Sequence, residues 1–281
     1  MRRAPSPSFA AGGSQPGAPR GMARPARASR RRAAKAPEVR ILAGTSGWSY
    51  VAWRGTFYPP GLPSTRMLAE YASRLPTVEV NATAYRTPKP EQLAAWRSQA
   101  PHGFVFAVKA PQWITHRLRL RGAESSLARF LAATAELGDA LGPVLFQLPP
   151  SMRKDLPLLR DFLALLPRGG RAAFQLPGDW VEPDVIQALA DAGAALCAVD
   201  GDDRSTPLVA TAPFAYLRLR RAAYDDPALG AWLAELAARP WAEAFVYFKH
   251  EDGALGPRYA RRLAELAGSA AATATPAHGP G

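Results

Sequence analysis

The stretch VRILAGTSGWSYVAWRGTFYPPG, from Val39 to Gly61, joins a short apolar run to a segment rich in glycine, aromatic and hydroxyl residues. The run VRILA, residues 39–43, has the length and composition of a fully buried strand, and Gly44 follows it directly. Residues 44–61 have neither helical nor strand periodicity. We therefore interpret them as the loop that leaves the end of the first strand.

Seven further apolar runs of similar length follow along the chain. They are TVEVN (77–81), FVFAVK (104–109), PVLFQL (143–148), RAAFQL (171–176), ALCAVD (195–200), FAYLRL (214–219) and AFVYFK (244–249). Helical patterns occupy most of the gaps, at residues 64–75, 90–99, 124–138, 155–166, 182–192, 227–238 and 256–267.

Alternation of strands with helices is typical of a parallel sheet, and eight repeats predict closure into an α/β, TIM-barrel-like (β/α)8 barrel. The gap after Asp200 is too short for a full helix. The sequence therefore does not exclude a doubly wound, open sheet.

The positive charge is concentrated at one end of the chain. The net charge is +12, and residues 1–37 contain nine of the 35 Lys and Arg residues but no Asp or Glu. The remaining residues carry the other 26 basic residues and all 23 acidic ones, which nearly balance. A nucleic-acid partner is thus suggested for this basic segment rather than for the folded part.

The composition predicts three regions. Residues 1–37 consist mainly of Ala, Pro, Gly, Ser and Arg, have no apolar periodicity, and are predicted to be a disordered tail. Residues 38–267 are predicted to form a single barrel domain, and residues 268–281 a second disordered tail. Met22 offers an alternative start. No apolar run suits a secretory signal or a membrane span, so we predict a cytoplasmic protein with no membrane contact.

Polar residues gather at the carboxyl ends of the predicted strands, where the active face of such a barrel forms. They are Thr45, Ser46, Glu79, Asn81, Lys109, Gln147, Gln175, Asp200, Arg218, Arg220, Lys249 and His250. Because strand side chains alternate with a period of two, Glu79 and Asn81 are expected to share one face, as are Tyr216, Arg218 and Arg220.

Several motifs resemble one family. GTSGWSY-x-x-W-x-G-x-FYP, VEVN-x-T-x-Y-R, F-x-F-x-VK followed by TH, GP-x-LFQLPP and Y-x-RL are similar, in order and number, to the domain of unknown function 72 family, also called YecE-like, over residues 39–267. The resemblance implies a TIM-barrel-like fold. It implies no particular reaction, because the activity of the family is not established.

The chain departs from the family pattern at two strands. Members commonly carry Glu-x-Arg-His on the fifth strand, whereas AAFQLPGDW places Gln175 where the carboxylate is expected. The seventh-strand pattern often ends in His-Gly, and Arg220 and Arg221 stand there instead. These departures weaken a catalytic role inherited from the family.

The excess of cations over carboxylates at the strand ends predicts a small anionic ligand, with the Gly-Thr-Ser-Gly stretch supplying N–H groups and hydroxyls. The candidate catalytic residues are Glu79, Lys109, His116 and Asp200. The candidate ligand-binding residues are Thr45, Ser46, Trp48, Asn81, Thr83, Tyr85, Arg86, Gln147, Tyr216, Arg218 and Lys249. The alternative is that the glycines only permit a turn and that Glu79 pairs with a barrel cation.

Aromatic residues crowd the first three loops and could form a stacking platform for a base or sugar ring, or a packed plug of the barrel mouth. They are Trp48, Tyr50, Trp53, Phe57, Tyr58, Tyr85 and Trp113. Only His116 and His250 are histidines near the predicted face, which is too few for a multinuclear metal site. We therefore expect no metal and no cofactor.

Two functions remain. The first is an enzyme for a phosphorylated or nucleotide-like compound, in which Glu79 transfers protons. The second is a non-catalytic nucleic-acid-binding protein that uses the basic tail and the barrel mouth. The sequence predicts no oligomeric state. It does predict an ion pair between Glu79 and Lys109, because these residues lie on neighbouring strands and a buried carboxylate needs a nearby cation.

Overall fold

The computed structural model describes the backbone of residues 39–273, so the predicted tail 1–37 lies outside the described residues. Eight strands pair in chain order, all in parallel, and β1 pairs with β8 to close the barrel. The strands are β1 Arg40–Ser46, β2 Thr77–Val80, β3 Val105–Lys109, β4 Leu141–Gln147, β5 Ala172–Gln175, β6 Ala195–Asp200, β7 Phe214–Leu219 and β8 Glu243–Phe248. The TIM-barrel-like prediction is confirmed, and closure excludes the open sheet.

Within residues 39–273, seven α-helices lie between and after the strands. They are α1 Met67–Ala72, α2 Pro90–Gln99, α3 Glu124–Ala135, α4 Leu156–Ala164, α5 Pro183–Asp191, α6 Asp226–Ala237 and α7 Leu255–Thr273. No described helix is long and apolar enough to cross a bilayer. A loop without a helix joins β6 to β7, as the short gap after Asp200 indicated.

Local sequence sets the beginnings of several helices. Proline at the first position of α2 and α5, Pro90 and Pro183, fits because the first helical N–H groups have no partner within the helix. Asp155 caps α4 by accepting a hydrogen bond from the Leu158 N–H at 3.1 Å, and Asp225 caps α6 through the Ala228 N–H at 2.9 Å. Residues close to the helix start, namely these prolines and aspartates, therefore define where these helices begin.

Most strand and helix ends differ from the predictions by a few residues, and two of these differences change the interpretation. β1 continues to Ser46, three residues beyond the predicted strand, so Gly44 and Thr45 belong to the sheet and not to the loop. α7 continues to Thr273, which places residues 268–273 of the predicted C-terminal tail in a helix. Three of these six residues are alanine, which is the strongest helix former.

Alternate strand residues form a compact apolar cluster that fills the barrel interior. Its members are Leu42, Val105, Ala107, Leu145, Ala173, Ala195, Cys197, Val199, Phe214, Tyr216, Phe245 and Tyr247. The residues two positions further along several of these strands point the same way, because side chains alternate in a strand. A polar layer therefore lies above the apolar one, at the carboxyl ends of the strands.

Gly44 lets β1 and β2 approach each other at the edge of this polar layer. A Cβ atom at position 44 would lie 2.1 Å from the backbone oxygen of Thr77 on β2. No side chain can be accommodated at that distance without moving the backbone. This glycine is therefore required for strand pairing rather than for a turn.

Candidate functional site

Glu79 is the central hydrogen-bond acceptor of the barrel, and its side chain is fully buried. Its Oε1 accepts hydrogen bonds from Ser46 Oγ at 2.7 Å and from Arg218 Nη2 at 2.8 Å, and its Oε2 accepts one from the Tyr216 hydroxyl at 2.7 Å. Strands β2 and β7 are not neighbours in the sheet. These contacts therefore cross the barrel interior and join three strands through one carboxylate.

Arg218 carries the network to the opposite wall of the barrel. Its side chain is 1% exposed, and Nη1 donates to Gln175 Oε1 at 2.7 Å and to Gln147 Oε1 at 3.1 Å. Its buried Nε has no hydrogen-bond partner among the side chains and backbone groups that the structure describes. Two amides and one carboxylate thus hold the guanidinium in place through its two Nη atoms, whereas Nε makes no hydrogen bond with the described residues.

The charge state of this pair follows from its surroundings. Burial by itself raises the pKa of Glu79, but the charge of Arg218 and the hydrogen bonds from Tyr216 and Ser46 outweigh burial and hold that pKa below its ordinary value. Burial lowers the pKa of Arg218, and the charge of Glu79 reverses that effect. The pair is therefore ionised near neutral pH.

A hydrogen-bonded tyrosine layer lies directly below the pair. The Tyr247 hydroxyl is 2.8 Å from Thr77 Oγ1, and the rings of Tyr216 and Tyr247 have centroids 5.2 Å apart. Burial raises the pKa of both phenols well above the ordinary value. These side chains are neutral near pH 7 and separate the charged layer from the apolar interior below.

The predicted ion pair between Glu79 and Lys109 is wrong, because Arg218 occupies the carboxylate instead. The register explains the difference: Glu79 lies opposite Ala107 on β3, so Lys109 is two residues closer to the barrel mouth. Lys109 is half-buried. Burial and the charge of Arg218 lower its pKa to about 8, although Glu79 acts in the opposite direction.

Three cations at the mouth have no carboxylate partner. Within residues 39–269, no ion pair involves Lys109, Arg220 or Lys249. Arg220 is half-buried, its buried Nε has no partner, and burial together with the charge of Arg218 lowers its pKa. The mouth therefore carries an uncompensated positive charge above the neutralised pair.

Thr45 does not join this site. Its Oγ1 lies 2.6 Å from the Gly47 carbonyl and 2.9 Å from the Tyr71 hydroxyl, and its backbone N–H donates to that same hydroxyl at 2.9 Å. The Gly-Thr-Ser stretch belongs to β1 and not to a loop. The expectation that Thr45 contributes to an anion-binding loop is therefore wrong. Alternation places Ser46 inward and Thr45 against α1.

Asp200 also lies away from the mouth. Its neighbour Val199 belongs to the interior cluster, so Asp200 points to the outside of the barrel. There its carboxylate accepts hydrogen bonds from Arg221 Nε at 2.7 Å, the Tyr224 hydroxyl at 3.1 Å and Trp232 Nε1 at 3.2 Å. The prediction that Asp200 opens onto the mouth is wrong, because the last polar residue of a strand need not have the inward parity.

Asn81 and Thr83 belong to a short 3-10 turn, Asn81–Ala84, that follows β2. The expectation that Asn81 shares a strand face with Glu79 is therefore wrong, since β2 ends at Val80. Thr83 is buried, and its Oγ1 accepts from the Lys109 N–H at 3.0 Å and donates to the Lys109 carbonyl at 2.7 Å. This hydroxyl holds the end of β3 and so positions Lys109.

His116 lies on a single π-helical turn, Trp113–Arg117, in the loop after β3. Its Nδ1 is 2.9 Å from Thr115 Oγ1. Burial, followed by the charge of Lys109, lowers the pKa of this imidazole. This histidine thus lies close enough to Lys109 for the positive charge of the lysine to affect its protonation.

The aromatic residues divide into two groups. Trp53 and Tyr58 are buried, and Trp53 packs edge-on against Phe57 with centroids 5.8 Å apart, as expected for a plug. Trp48 is half-buried and packs edge-on against Trp96. The second group consists of Tyr85 and Trp113, which are exposed on the loops after β2 and β3.

The predicted set of ligand-binding residues did not include Gln175 and Arg220, which belong to the polar layer at the carboxyl ends of the strands. The signal for Arg220 was its spacing of two from Arg218, and Gln175 ends a strand whose interior residue is Ala173. Ser46 and Gln147 do lie in the polar layer, as expected, and Tyr216 donates to Glu79 from the tyrosine layer below it. The described residues contain no group of three or more His, Cys, Asp or Glu side chains placed to hold a metal ion.

Comparisons with known proteins agree with this architecture. The chain is 35% identical over 128 residues to the UPF0759 protein YecE of Escherichia coli K12 and 32% identical over 116 residues to the UPF0759 protein YunF of Bacillus subtilis 168. These segments cover 45% and 39% of this chain, and 44% and 40% of those relatives, so the matches span less than half of either protein.

Two crystal structures share the fold. A DUF72 family protein from Thermotoga maritima superposes with a TM-score of 0.70 at 22% identity, over 81% of this chain and 98% of that one. A DUF72 family protein from Enterococcus faecalis gives 0.63 at 20% identity, over 81% and 97%. The profile described as "Protein of unknown function DUF72" matches residues 42–280. With this match over most of its length, the chain belongs to the DUF72 family.

Proposed function

We propose that the barrel mouth binds a small anionic compound, phosphorylated or nucleotide-like, and converts it by a step that includes proton transfer. One observation carries the proposal: within residues 39–269, Lys109, Arg220 and Lys249 form no ion pair, and the charges of Arg220 and Lys249 both act on Lys109. A half-buried cation that lacks a partner is costly, and a bound anion would remove that cost.

Lys109 is the candidate proton-transfer group. Its pKa of about 8 leaves a neutral fraction near neutral pH, so its amine can accept a proton and return it. The Thr83 hydroxyl holds its backbone. Lysines that work as general bases have their pKa lowered by burial and by neighbouring cations, as here.

The arrangement favours a positioning role for Glu79 in place of the proton-transfer role suggested by its place on the strand. Its carboxylate already accepts three hydrogen bonds, and the depressed pKa disfavours protonation. Glu79 fixes Arg218, whose charge in turn helps to depress the pKa of Lys109. His116 is the candidate second proton carrier, and Gln147 is the candidate for orienting the anion.

Binding can be tested with pyrophosphate as the probe, by calorimetry on the full chain. We expect Arg220→Gln to weaken pyrophosphate binding about ten-fold or more, because charge-assisted hydrogen bonds contribute about 1.5–3 kcal/mol. Arg160→Gln, which removes one exposed positive charge from α4, is the matched control. Equal affinity of the two variants would overturn the proposed anion site.

Turnover needs a separate experiment. Purified protein is incubated with a mixture of phosphorylated metabolites, including nucleoside monophosphates and sugar phosphates, and consumption is followed by mass spectrometry. We expect Lys109→Met to remain folded and to lose turnover at least a hundred-fold, since general acid–base catalysis contributes about 10²–10⁴-fold. Undiminished turnover in Lys109→Met would remove the proposed role of this residue.

A further inference from the structure

A groove of about 380 Å³ lies between the loops after β2 and β3 and the side of α3. Tyr85 and Arg86 line it from the first loop, Trp113 and Arg117 from the second, and Arg129 from α3. The volume is within the range of small-ligand sites. None of the residues that hold the Glu79–Arg218 pair lines this groove, so it is a separate feature from the mouth.

The aromatic side chains of the groove are unusually exposed. Tyr85 is 78% exposed and Trp113 is 55% exposed. Among the large apolar side chains that the structure describes, only Val51 and Leu165 are also exposed. The other aromatic residues of these loops pack into the fold, so two open ring faces in one groove indicate a stacking surface.

The charges of the groove are all positive. Arg86, Arg117 and Arg129 line it, whereas no Asp or Glu does. These three arginines form no ion pair among residues 39–269. Guanidinium groups bind phosphate oxygens in a planar, two-pronged geometry, which suits a ligand that alternates planar rings with phosphates.

We propose that this groove binds single-stranded nucleic acid, with bases stacked on both Tyr85 and Trp113 and the flanking phosphates held by the arginines. Open aromatic faces combined with a cationic groove are the features by which proteins bind single strands without reading sequence. A duplex keeps its bases stacked inside and offers no ring to these side chains. Three arginines around one nucleotide-sized groove also exceed what a single free phosphate needs. The inference does not depend on the chemistry at the mouth.

The test uses the full chain and fluorescently labelled dT12, with binding followed by anisotropy. We expect Tyr85→Ala and Trp113→Ala each to weaken binding about ten-fold, since stacking on an aromatic side chain contributes that much or more per base. Trp113→Phe keeps a ring and should retain most of the affinity. Arg117→Ala should weaken binding and reduce its salt dependence, whereas Arg160→Ala, outside the groove, should change neither.

The basic residues 1–37 are a second possible source of phosphate contacts. Two further binding measurements, one with a duplex and one with dTMP, distinguish their contribution from that of the groove. Contacts to phosphates alone would bind a 12-base-pair duplex as well as dT12, and the aromatic variants would then match the wild type; that result overturns the proposal. Displacement of dT12 by an equal concentration of dTMP would assign the groove to a free nucleotide and also overturn it. A preference for dT12 over both, lost in Tyr85→Ala and Trp113→Ala, supports the single strand.

Discussion

Arg218 and Glu79 form an ion pair across the interior of the barrel, with Nη2 and Oε1 2.8 Å apart and side chains that are 1% and 0% exposed. The two residues are 139 positions apart in the chain. Ser46, Gln147, Gln175 and Tyr216 supply the remaining hydrogen bonds. The pair therefore links strands on opposite sides of the barrel and sets the charge of the layer beneath the mouth.

Breaking one side of this pair should destabilise the fold. Glu79→Gln leaves the buried guanidinium of Arg218 without a counter-charge, and such a loss typically costs about 3–5 kcal/mol in the free energy of unfolding. Urea denaturation measures it. The double variant Glu79→Gln/Arg218→Met removes both charges and should be more stable than Glu79→Gln alone. If the double variant is less stable by the sum of the two single effects, the two residues do not act as a pair.

The same pair should make stability depend on pH on the acidic side. The folded pKa of Glu79 is below its ordinary value of 4.5, so its contribution is fully present above about pH 4.5 and is lost as the pH falls through the folded pKa. One proton contributes at most about 1.4 kcal/mol per pH unit to the slope. Urea midpoints between pH 3 and 7 should fall more steeply for the wild type than for Glu79→Gln/Arg218→Met; parallel curves would contradict this origin.

Anion binding at the mouth should weaken on the alkaline side. Lys109 has a pKa of about 8, so its positive charge is present below that pH and is lost above it. Sulfate is a suitable probe because its own charge does not change in this range. We expect sulfate affinity, measured by calorimetry, to fall several-fold between pH 7 and pH 9.5.

Lys109→Met is the control for that titration. Without the amine, sulfate affinity should be lower at pH 7 and nearly constant up to pH 9.5, because Arg220 keeps its charge over this range. A wild-type affinity that does not change with pH, or a variant that shows the same decline, would mean that Lys109 does not contact the anion.

Gly44 should be intolerant of substitution. A Cβ atom in Gly44→Ala would lie 2.1 Å from the Thr77 carbonyl oxygen, so the β1–β2 pairing must move, and overpacking of this kind costs about 1–3 kcal/mol. Gly178→Ala is the matched control, since a Cβ atom there meets nothing within 4 Å. Unfolding midpoints in urea should drop for the first variant and stay near the wild type for the second.

Whether a strand side chain points into the barrel interior or outward distinguishes the site residues whose position was predicted correctly from those whose position was not. Lys109, Gln147 and Arg218 occupy the last or the next-to-last position of runs in which the residue two positions earlier belongs to the interior cluster, and all three lie at the carboxyl end of the barrel as expected. Asp200 and Thr45 also end or follow apolar runs, but they have the outward parity and bond to groups beneath the helices. The predicted run 195–200 coincides with β6, so the strand boundary was not the cause for Asp200. All six residues of β6 are buried, and a strand buried on both faces does not show in its sequence which alternate residues face the barrel interior.

The sequence by itself determined the alternation of strands and helices, because eight apolar runs are separated by helical patterns, and it favoured the barrel while leaving the open sheet as an alternative. It also determined that polar groups meet at one end, since all parallel strands point the same way. Only the tertiary structure decided which groups touch. Closure brings β7 across the interior from β2 and staggers β3 against β2. Glu79 therefore meets Arg218, and Lys109 forms no ion pair with the side chains of residues 39–269. That choice depends on strand register around a closed ring, which no local pattern encodes.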